Sequence, residues 1–136
     1  MITIIDGAKG SGKTKKILDK ANEVLAMVKG DVVFLAMTTR YRTEIKPQIK
    51  FIDAREESIS NADVLAGFIK GLICGNYDIE YIFIDGILKM INQDLNSKEV
   101  EELFATLETI SDRTNLVMTI SCDRENLPSF ISKLVK

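Results

Sequence analysis

The chain has 136 residues, of which 46% are hydrophobic and 28% are charged, and its formal net charge is -2. A chain of this length most simply forms one domain with a single core, here residues 1–136. The small net charge gives no general attraction to nucleic acid or to anionic membranes, and no apolar run is long enough to span a membrane. We therefore expect a cytoplasmic protein without a specific nucleic-acid signal.

The residue inventory restricts the chemistry further. Histidine is absent, and the two cysteines, Cys74 and Cys122, are far apart in the sequence. The usual general base, the histidine-activated nucleophiles and the common zinc sites are therefore excluded. Any catalysis must use carboxylates, lysine, hydroxyl groups and a bound cation.

In chain order, the hydrophobic pattern alternates strands with helices. Strands are predicted over residues 2–6, 32–37, 49–54, 81–86 and 116–121. The first helix is expected to begin near Lys13 and to end at Gly30, and the next one to be capped by Ser60. Further helices are predicted over residues 87–91, after Ser97 and from Pro128. This order predicts an α/β fold in three layers, with a mainly parallel sheet of about five strands and helices on both faces.

The first strand leads into GAKGSGKT, residues 7–14, which we call the glycine loop. It matches the Walker A pattern G-x-x-x-x-G-K-[ST] between a predicted strand and a predicted helix. Glycine permits backbone conformations in which successive N–H groups point at phosphate oxygens, and the helix N-terminus adds positive partial charge. The predicted nucleotide-binding residues are Gly7, Ala8, Lys9, Gly10, Ser11, Gly12, Lys13, Thr14 and Lys15.

Individual roles follow from the same pattern. Lys13 is expected to reach the β- and γ-phosphates, and the Thr14 hydroxyl is expected to coordinate Mg²⁺. The side chains of Lys9, Lys15 and Lys16 are expected to face solvent. ATP is the default nucleotide, because the sequence has no N-K-x-D signature for guanine.

A second acidic strand end adds a candidate metal ligand. YIFID, residues 81–85, is an apolar strand that ends in Asp85 and resembles a Walker B strand. In that interpretation Asp85 binds Mg²⁺, directly or through water, opposite Thr14. The alternative is that Asp85 caps the turn that contains Gly86.

With both motifs, the chain resembles the P-loop NTPase superfamily over nearly its whole length. The strand that ends in Ser121 is similar to the polar sensor strand of the RecA-like branch, and the chain also resembles small bacterial ATP-binding proteins labelled twitching-motility ATPase-like. The histidine-containing signatures of the full-length motor proteins are missing. The loop TTRYR, residues 38–42, is similar to the basic loop of thymidine-kinase-type nucleoside kinases, although the zinc-binding cysteines of those kinases are absent.

Hydrolysis needs a group that orients or deprotonates water, and in the resembling ATPases this is commonly a glutamate beside the Walker B aspartate. Gly86 stands at that position. The catalytic candidates are Lys13, Asp53 and Asp123. Asp53 either orients water, or contacts the ligands of the magnesium ion, or caps the turn towards Arg55.

Three functions stay open. The first is Mg²⁺-dependent binding of a nucleoside triphosphate, with weak hydrolysis or with hydrolysis stimulated by a second copy or a partner that supplies an arginine or glutamate in trans. The second is phosphoryl transfer to a small molecule or nucleoside, with residues 38–50 as the segment available to build an acceptor pocket. The third is an ATP-sensing interaction module without turnover.

Overall fold

Residues 1–135, which the computed structural model describes, form five strands and five helices. The strands are β1 (Ile2–Gly7), β2 (Asp31–Ala36), β3 (Lys50–Asp53), β4 (Ile79–Ile84) and β5 (Asn115–Ser121). The helices are α1 (Lys13–Val24), α2 (Ala62–Gly75), α3 (Ile87–Ile91), α4 (Lys98–Ile110) and α5 (Ser129–Ser132). Short 3₁₀ helices lie at Arg42–Glu44 and Arg124–Asn126.

All strand neighbours in the sheet are parallel, and the strand order is β1-β5-β4-β2-β3. The last strand in the sequence, β5, therefore lies between the two strands that lead to the glycine loop and to Asp85. Gly7 is in register with Ser121, and Ile84 is in register with Met118. The order confirms the predicted α/β architecture and brings the ends of β1, β5 and β4 together at one edge.

Both faces of the sheet are buried, which explains why its strands read as continuous apolar runs. On one face, α1 packs Ile17 and Ala21 against a cluster that includes Phe34, Phe83 and Val117. On the other face, α2, α3, α4 and α5 cover alternate residues of the same strands. Burying each large apolar side chain contributes about 1.5–3 kcal/mol, so the two layers hold the sheet edge in a defined position.

The predicted end of the first helix is wrong. α1 ends at Val24, and the amides of Met27 and Val28 bond back to the Val24 carbonyl in a closing turn. Gly30 lies beyond that turn, where the chain passes close to the segment before β4. A Cβ at position 30 would collide with the Asp78 carbonyl, so glycine is needed for this close approach rather than for a helix stop.

The predicted cap of the second helix is displaced by one residue. The side chain of Asn61, not Ser60, accepts the Val64 amide at 2.9 Å, and α2 begins at Ala62. Asparagine and serine cap equally well, so the sequence alone does not choose between neighbours. Ser97 caps α4 as predicted, accepting the Val100 amide. Within residues 1–135, no helix combines the length and the apolar character that a membrane crossing needs.

Candidate functional site

The glycine loop joins the end of β1 to the start of α1, and its conformation depends on glycine. The φ angles of Gly7, Gly10 and Gly12 are +145°, +84° and +86°. These angles fall in regions that residues with a Cβ rarely adopt. At position 7 there is also no space, because a Cβ would lie 2.6 Å from the Ser11 Oγ.

The N-terminus of α1 lacks the partners that usually satisfy it. Gly12 occupies the N-cap position without a side-chain hydrogen bond, and the first turn of α1 contains no acidic residue. The first N–H groups of a helix have no acceptor within the helix, and they carry the positive end of its dipole. An anion bound at the glycine loop can accept hydrogen bonds from these N–H groups, which otherwise bond to water.

Lys13 brings a positive charge into the same loop. Its side chain is only 8% exposed, and its Nζ donates to the Ala8 carbonyl at 2.9 Å. Among the ion pairs of the described residues, none includes Lys13. Buried charges are usually paired with an opposite charge, so an anion in the loop would supply a counter-charge that the chain itself does not.

Asp85 lies one residue beyond β4 and accepts two hydroxyl groups. Thr14 Oγ1 donates to Asp85 Oδ2 at 3.3 Å, across 71 residues of sequence. Thr119 Oγ1, from β5, donates to Asp85 Oδ1 at 2.8 Å. The amide of Gly86 donates to Thr119 Oγ1 at 2.7 Å rather than to the carboxylate. Asp85 therefore faces the start of α1.

The donor set of Thr14 and Asp85 fits a magnesium ion that is shared with phosphates. Mg²⁺ prefers oxygen ligands and is commonly bound through one or two carboxylates, substrate phosphates and water. No group of three or more acidic, cysteine or histidine side chains that could hold a metal occurs in residues 1–135. One hydroxyl and one carboxylate thus suit a cation that arrives with an anionic ligand better than an ion held by protein alone.

Thr119 is the site residue that the sequence interpretation missed. It is 2% exposed and lies in the middle strand of the three that form the site. The signal was present in LVMTIS, residues 116–121, where one threonine interrupts a buried apolar strand. Its hydroxyl has a polar partner on each side, so it fixes the orientation of the Asp85 carboxylate.

A cleft of about 470 Å³ lies between the glycine loop and α3, and we call it the α3 cleft. Lys9, Lys89, Thr119 and Ser121 line it, together with Gly86 and the polar residues that follow α3. Gly86 has a φ of +78° at the N-cap of α3 and carries no side chain into this space. Lys9 is exposed from the loop, as expected, and it also borders this cleft.

A second cleft, of about 330 Å³, opens on the other side of Thr14. We call it the tyrosine cleft, because Tyr41 forms one wall; its other lining residues are Thr14, Lys15, Leu18, Asp19 and Glu44. Lys15 is exposed and pairs with Asp19 at 3.0 Å. The two clefts share no lining residue: the α3 cleft borders the glycine loop at Lys9, and the tyrosine cleft borders the first turns of α1.

The two carboxylate candidates for catalysis lie in different places. Asp53 ends β3, four strands from β1 and two strands from β4, which is about 19 Å and about 10 Å at the usual strand spacing. It accepts the Arg55 amide at 2.9 Å and so caps its own turn, and the structure does not bring it to the glycine loop. Asp123 is exposed just beyond β5, at the same edge as the loop.

An ion pair connects the ends of β1 and β5. Arg124 Nη2 lies 3.2 Å from Asp6 Oδ1, and the Gly7 amide donates to the Cys122 carbonyl at 2.9 Å. Desolvation raises the pKa of the Cys122 thiol, and the negative charges of Asp123 and Asp6 raise it further. Cys122 is therefore a neutral thiol at neutral pH and not an activated nucleophile.

Comparison with known proteins addresses the fold. No family model and no curated protein matches the sequence. Among solved structures, the chain is similar to the flagellar accessory protein FlaH from Methanocaldococcus jannaschii, with a TM-score of 0.61 and 16% sequence identity. The likeness shows the fold. It covers 98% of this chain and 65% of the FlaH chain, so this chain spans less than two thirds of the length of FlaH.

The similarity to FlaH supports the α/β fold, with a five-strand parallel sheet flanked by helices. At 16% identity it carries nothing about residues, ligands or activity. The narrower resemblances, to the twitching-motility ATPase-like proteins and to the thymidine-kinase-type kinases, therefore stay predictions.

Proposed function

We propose that the protein binds a nucleoside triphosphate together with Mg²⁺, with ATP as the nucleotide, and that it hydrolyses the nucleotide slowly or when a partner stimulates it. The observation that carries this proposal is the contact between Asp85 Oδ2 and Thr14 Oγ1, and Thr14 comes directly after the buried residue Lys13 in the sequence. A P-loop fold with a free helix N-terminus at the same point supports it.

Different groups of the glycine loop and of α1 bind the phosphates and the metal ion. The N–H groups of the loop and of the first turn of α1 bind phosphate oxygens, and the Lys13 ammonium moves from the Ala8 carbonyl to the β- and γ-phosphates. Thr14 and Asp85 hold Mg²⁺, which offsets the negative charge of the phosphate oxygens when it is bound. Thr119 keeps the Asp85 carboxylate turned towards Thr14.

We propose slow hydrolysis because few residues of this chain can orient water beside the terminal phosphate. Gly86 offers no carboxylate to orient water, and the Asp53 carboxylate caps its own turn at the edge strand. Lys13 contributes charge stabilisation, and Asp123 is the candidate carboxylate that remains at this edge. We therefore propose that a second copy or a protein partner supplies a glutamate or an arginine in trans to reach a faster rate.

A second candidate function is phosphoryl transfer to a small acceptor. It is favoured by the α3 cleft, whose volume of about 470 Å³ lies within the range of small-molecule sites. Residues 38–50, the segment expected to build an acceptor pocket, do not border this cleft. An acceptor would therefore be held by α3 and by the residues after it.

The test is calorimetric titration of Mg·ATP into the wild-type protein and into two lysine variants. Lys13→Ala removes the buried ammonium, and hydrogen bonds to charged groups are worth about 1.5–3 kcal/mol, so binding weakens about 10- to 150-fold. Lys16→Ala is the matched control, because Lys16 is exposed on the same helix. We expect this control to bind within about twofold of wild type.

The outcomes separate the candidate functions. Binding with slow phosphate release supports the first function, and transfer of the phosphoryl group to an added nucleoside would replace it with the second. Binding without any phosphate release, alone or with a second copy, would indicate an ATP-sensing module. If neither Mg·ATP nor Mg·GTP binds, the proposed function is wrong.

A further inference from the structure

We propose that the tyrosine cleft takes the nucleoside of the bound triphosphate, with the ring of Tyr41 against the base. This inference rests on the proposed function, because it assigns the part of the nucleotide that the glycine loop does not hold. The cleft adjoins Thr14 and Lys15 in the first turn of α1, directly after Lys13. A nucleotide whose phosphates bind at the glycine loop can therefore place its nucleoside in the tyrosine cleft.

The α3 cleft and the tyrosine cleft differ in the charged and polar groups that line them. Two lysines and two hydroxyl groups line the α3 cleft, against one carboxylate, Asp94. Such a lining suits the terminal phosphate. The tyrosine cleft has an aromatic wall, the largely buried Leu18, two carboxylates, Asp19 and Glu44, and one lysine, Lys15, which pairs with Asp19. These carboxylates repel phosphate but accept hydrogen bonds from amino and hydroxyl groups, which a base and a ribose provide.

The wall that carries Tyr41 is fixed to α1 before any ligand binds. Asn22 of α1 donates its side-chain amide to the Glu44 carbonyl at 2.9 Å and accepts the Lys46 amide at 3.0 Å. Within the loop, the Glu44 amide donates to the Tyr41 carbonyl at 2.9 Å. A preformed wall avoids the entropic cost of ordering a loop when the ligand binds.

The ring of Tyr41 is available to a planar ligand group. The residue is half-buried, and its side chain packs against the core cluster beneath α1. The exposed Arg40 guanidinium lies over the ring at 5.5 Å from its centroid, so a base that stacks on Tyr41 takes the place of this cation. A volume of about 330 Å³ is at the lower end of the range for small-molecule sites, which fits a nucleoside rather than a larger group.

The test compares two probes that differ only in the presence of a nucleoside, Mg·ATP and Mg·tripolyphosphate. Both are titrated calorimetrically into wild type, Tyr41→Ala and Tyr41→Phe. Loss of base stacking weakens Mg·ATP binding about 10- to 100-fold in Tyr41→Ala, while Tyr41→Phe keeps the ring and binds like wild type. Mg·tripolyphosphate binding stays unchanged in both variants, which also shows that they are folded.

Tyr77→Ala is the matched control, because Tyr77 is 87% exposed in the segment before β4, at the opposite end of the sheet. It should bind Mg·ATP like wild type. Unchanged Mg·ATP affinity in Tyr41→Ala, or equal losses for both probes, would overturn the assignment of the tyrosine cleft while the proposed function stands. If wild type binds neither probe, the proposed function itself fails.

Discussion

Replacing Thr119 by valine tests whether β5, which lies between β1 and β4, fixes the orientation of the Asp85 carboxylate. The Thr119 side chain is buried, and its hydroxyl donates to Asp85 Oδ1 at 2.8 Å and accepts the Gly86 amide at 2.7 Å. Valine has nearly the same shape but no hydroxyl group. Both partners therefore lose a hydrogen bond in a partly buried position beside the α3 cleft.

The size of the effect follows from these two bonds. A hydrogen bond to a charged group contributes about 1.5–3 kcal/mol to stability, and a neutral one contributes about 1 kcal/mol. We expect the free energy of unfolding to fall by about 3 kcal/mol in Thr119→Val. For a domain of this length, such a loss lowers the Tm by about 10 °C.

Urea and thermal unfolding followed by circular dichroism measure this change, with two control variants. Thr119→Ser keeps the hydroxyl and should lose less stability than Thr119→Val. Thr109→Val changes an exposed threonine of α4 and should stay within about 0.5 kcal/mol of wild type. If Thr119→Val unfolds like wild type, the role assigned to the Thr119 hydroxyl is wrong.

A second readout separates orientation of the carboxylate from general stability. Residues that orient a metal ligand typically change metal affinity about 10- to 100-fold when they are replaced. At a temperature where Thr119→Val is folded, we expect it to need about tenfold more Mg²⁺ for half-maximal ATP binding. An unchanged Mg²⁺ requirement would mean that Thr119 supports the fold alone.

Three further variants or reactions have defined outcomes. Asp85→Ala should remove most of the dependence of ATP binding on Mg²⁺, measured by calorimetry at several Mg²⁺ concentrations. Gly7→Ala should lower the free energy of unfolding by about 1–3 kcal/mol, because the φ of Gly7 is +145° and a Cβ would crowd the Ser11 side chain. Gly67→Ala is the control: it lies within α2, where alanine is the better helix former, and it should raise the free energy of unfolding by about 0.5–1 kcal/mol. Iodoacetamide at neutral pH should modify the exposed Cys74 before Cys122, whose pKa is raised, as read by mass spectrometry of tryptic peptides.

A specific result would contradict each of these three predictions. ATP binding that is equally dependent on Mg²⁺ in Asp85→Ala would exclude this carboxylate from the metal site. Unfolding of Gly7→Ala at the same urea concentration as wild type would show that the glycine loop tolerates a Cβ there. Faster alkylation of Cys122 than of Cys74 would indicate an activated thiol beside β5.

Local sequence features predicted the parts of the site that depend on neighbouring residues. The glycine loop lies between a strand and a helix as expected, because glycine spacing and hydrophobic periodicity are local signals. Asp85 follows its strand for the same reason. The contact between Asp85 and Thr14 agrees with the expected pairing of these two residues, and its metal-binding role is part of the proposal.

Features set by tertiary packing were not predictable from the sequence. The position of β5 between β1 and β4 brings Thr119 to Asp85 across 34 residues, and no local pattern encodes the strand order. The same order places Asp53 at the far edge of the sheet. The helix boundary at Val24 was missed because apolar residues continue beyond it, in a turn that packs on the core.

A crystal structure of the protein with Mg²⁺ and a non-hydrolysable ATP analogue tests the central claim most directly. The account predicts that the β- and γ-phosphates lie within the glycine loop, that Lys13 Nζ has moved from the Ala8 carbonyl to phosphate oxygens, and that Mg²⁺ lies between Thr14 and Asp85. Phosphates bound away from the loop, or a loop without phosphate at saturating analogue, would contradict it.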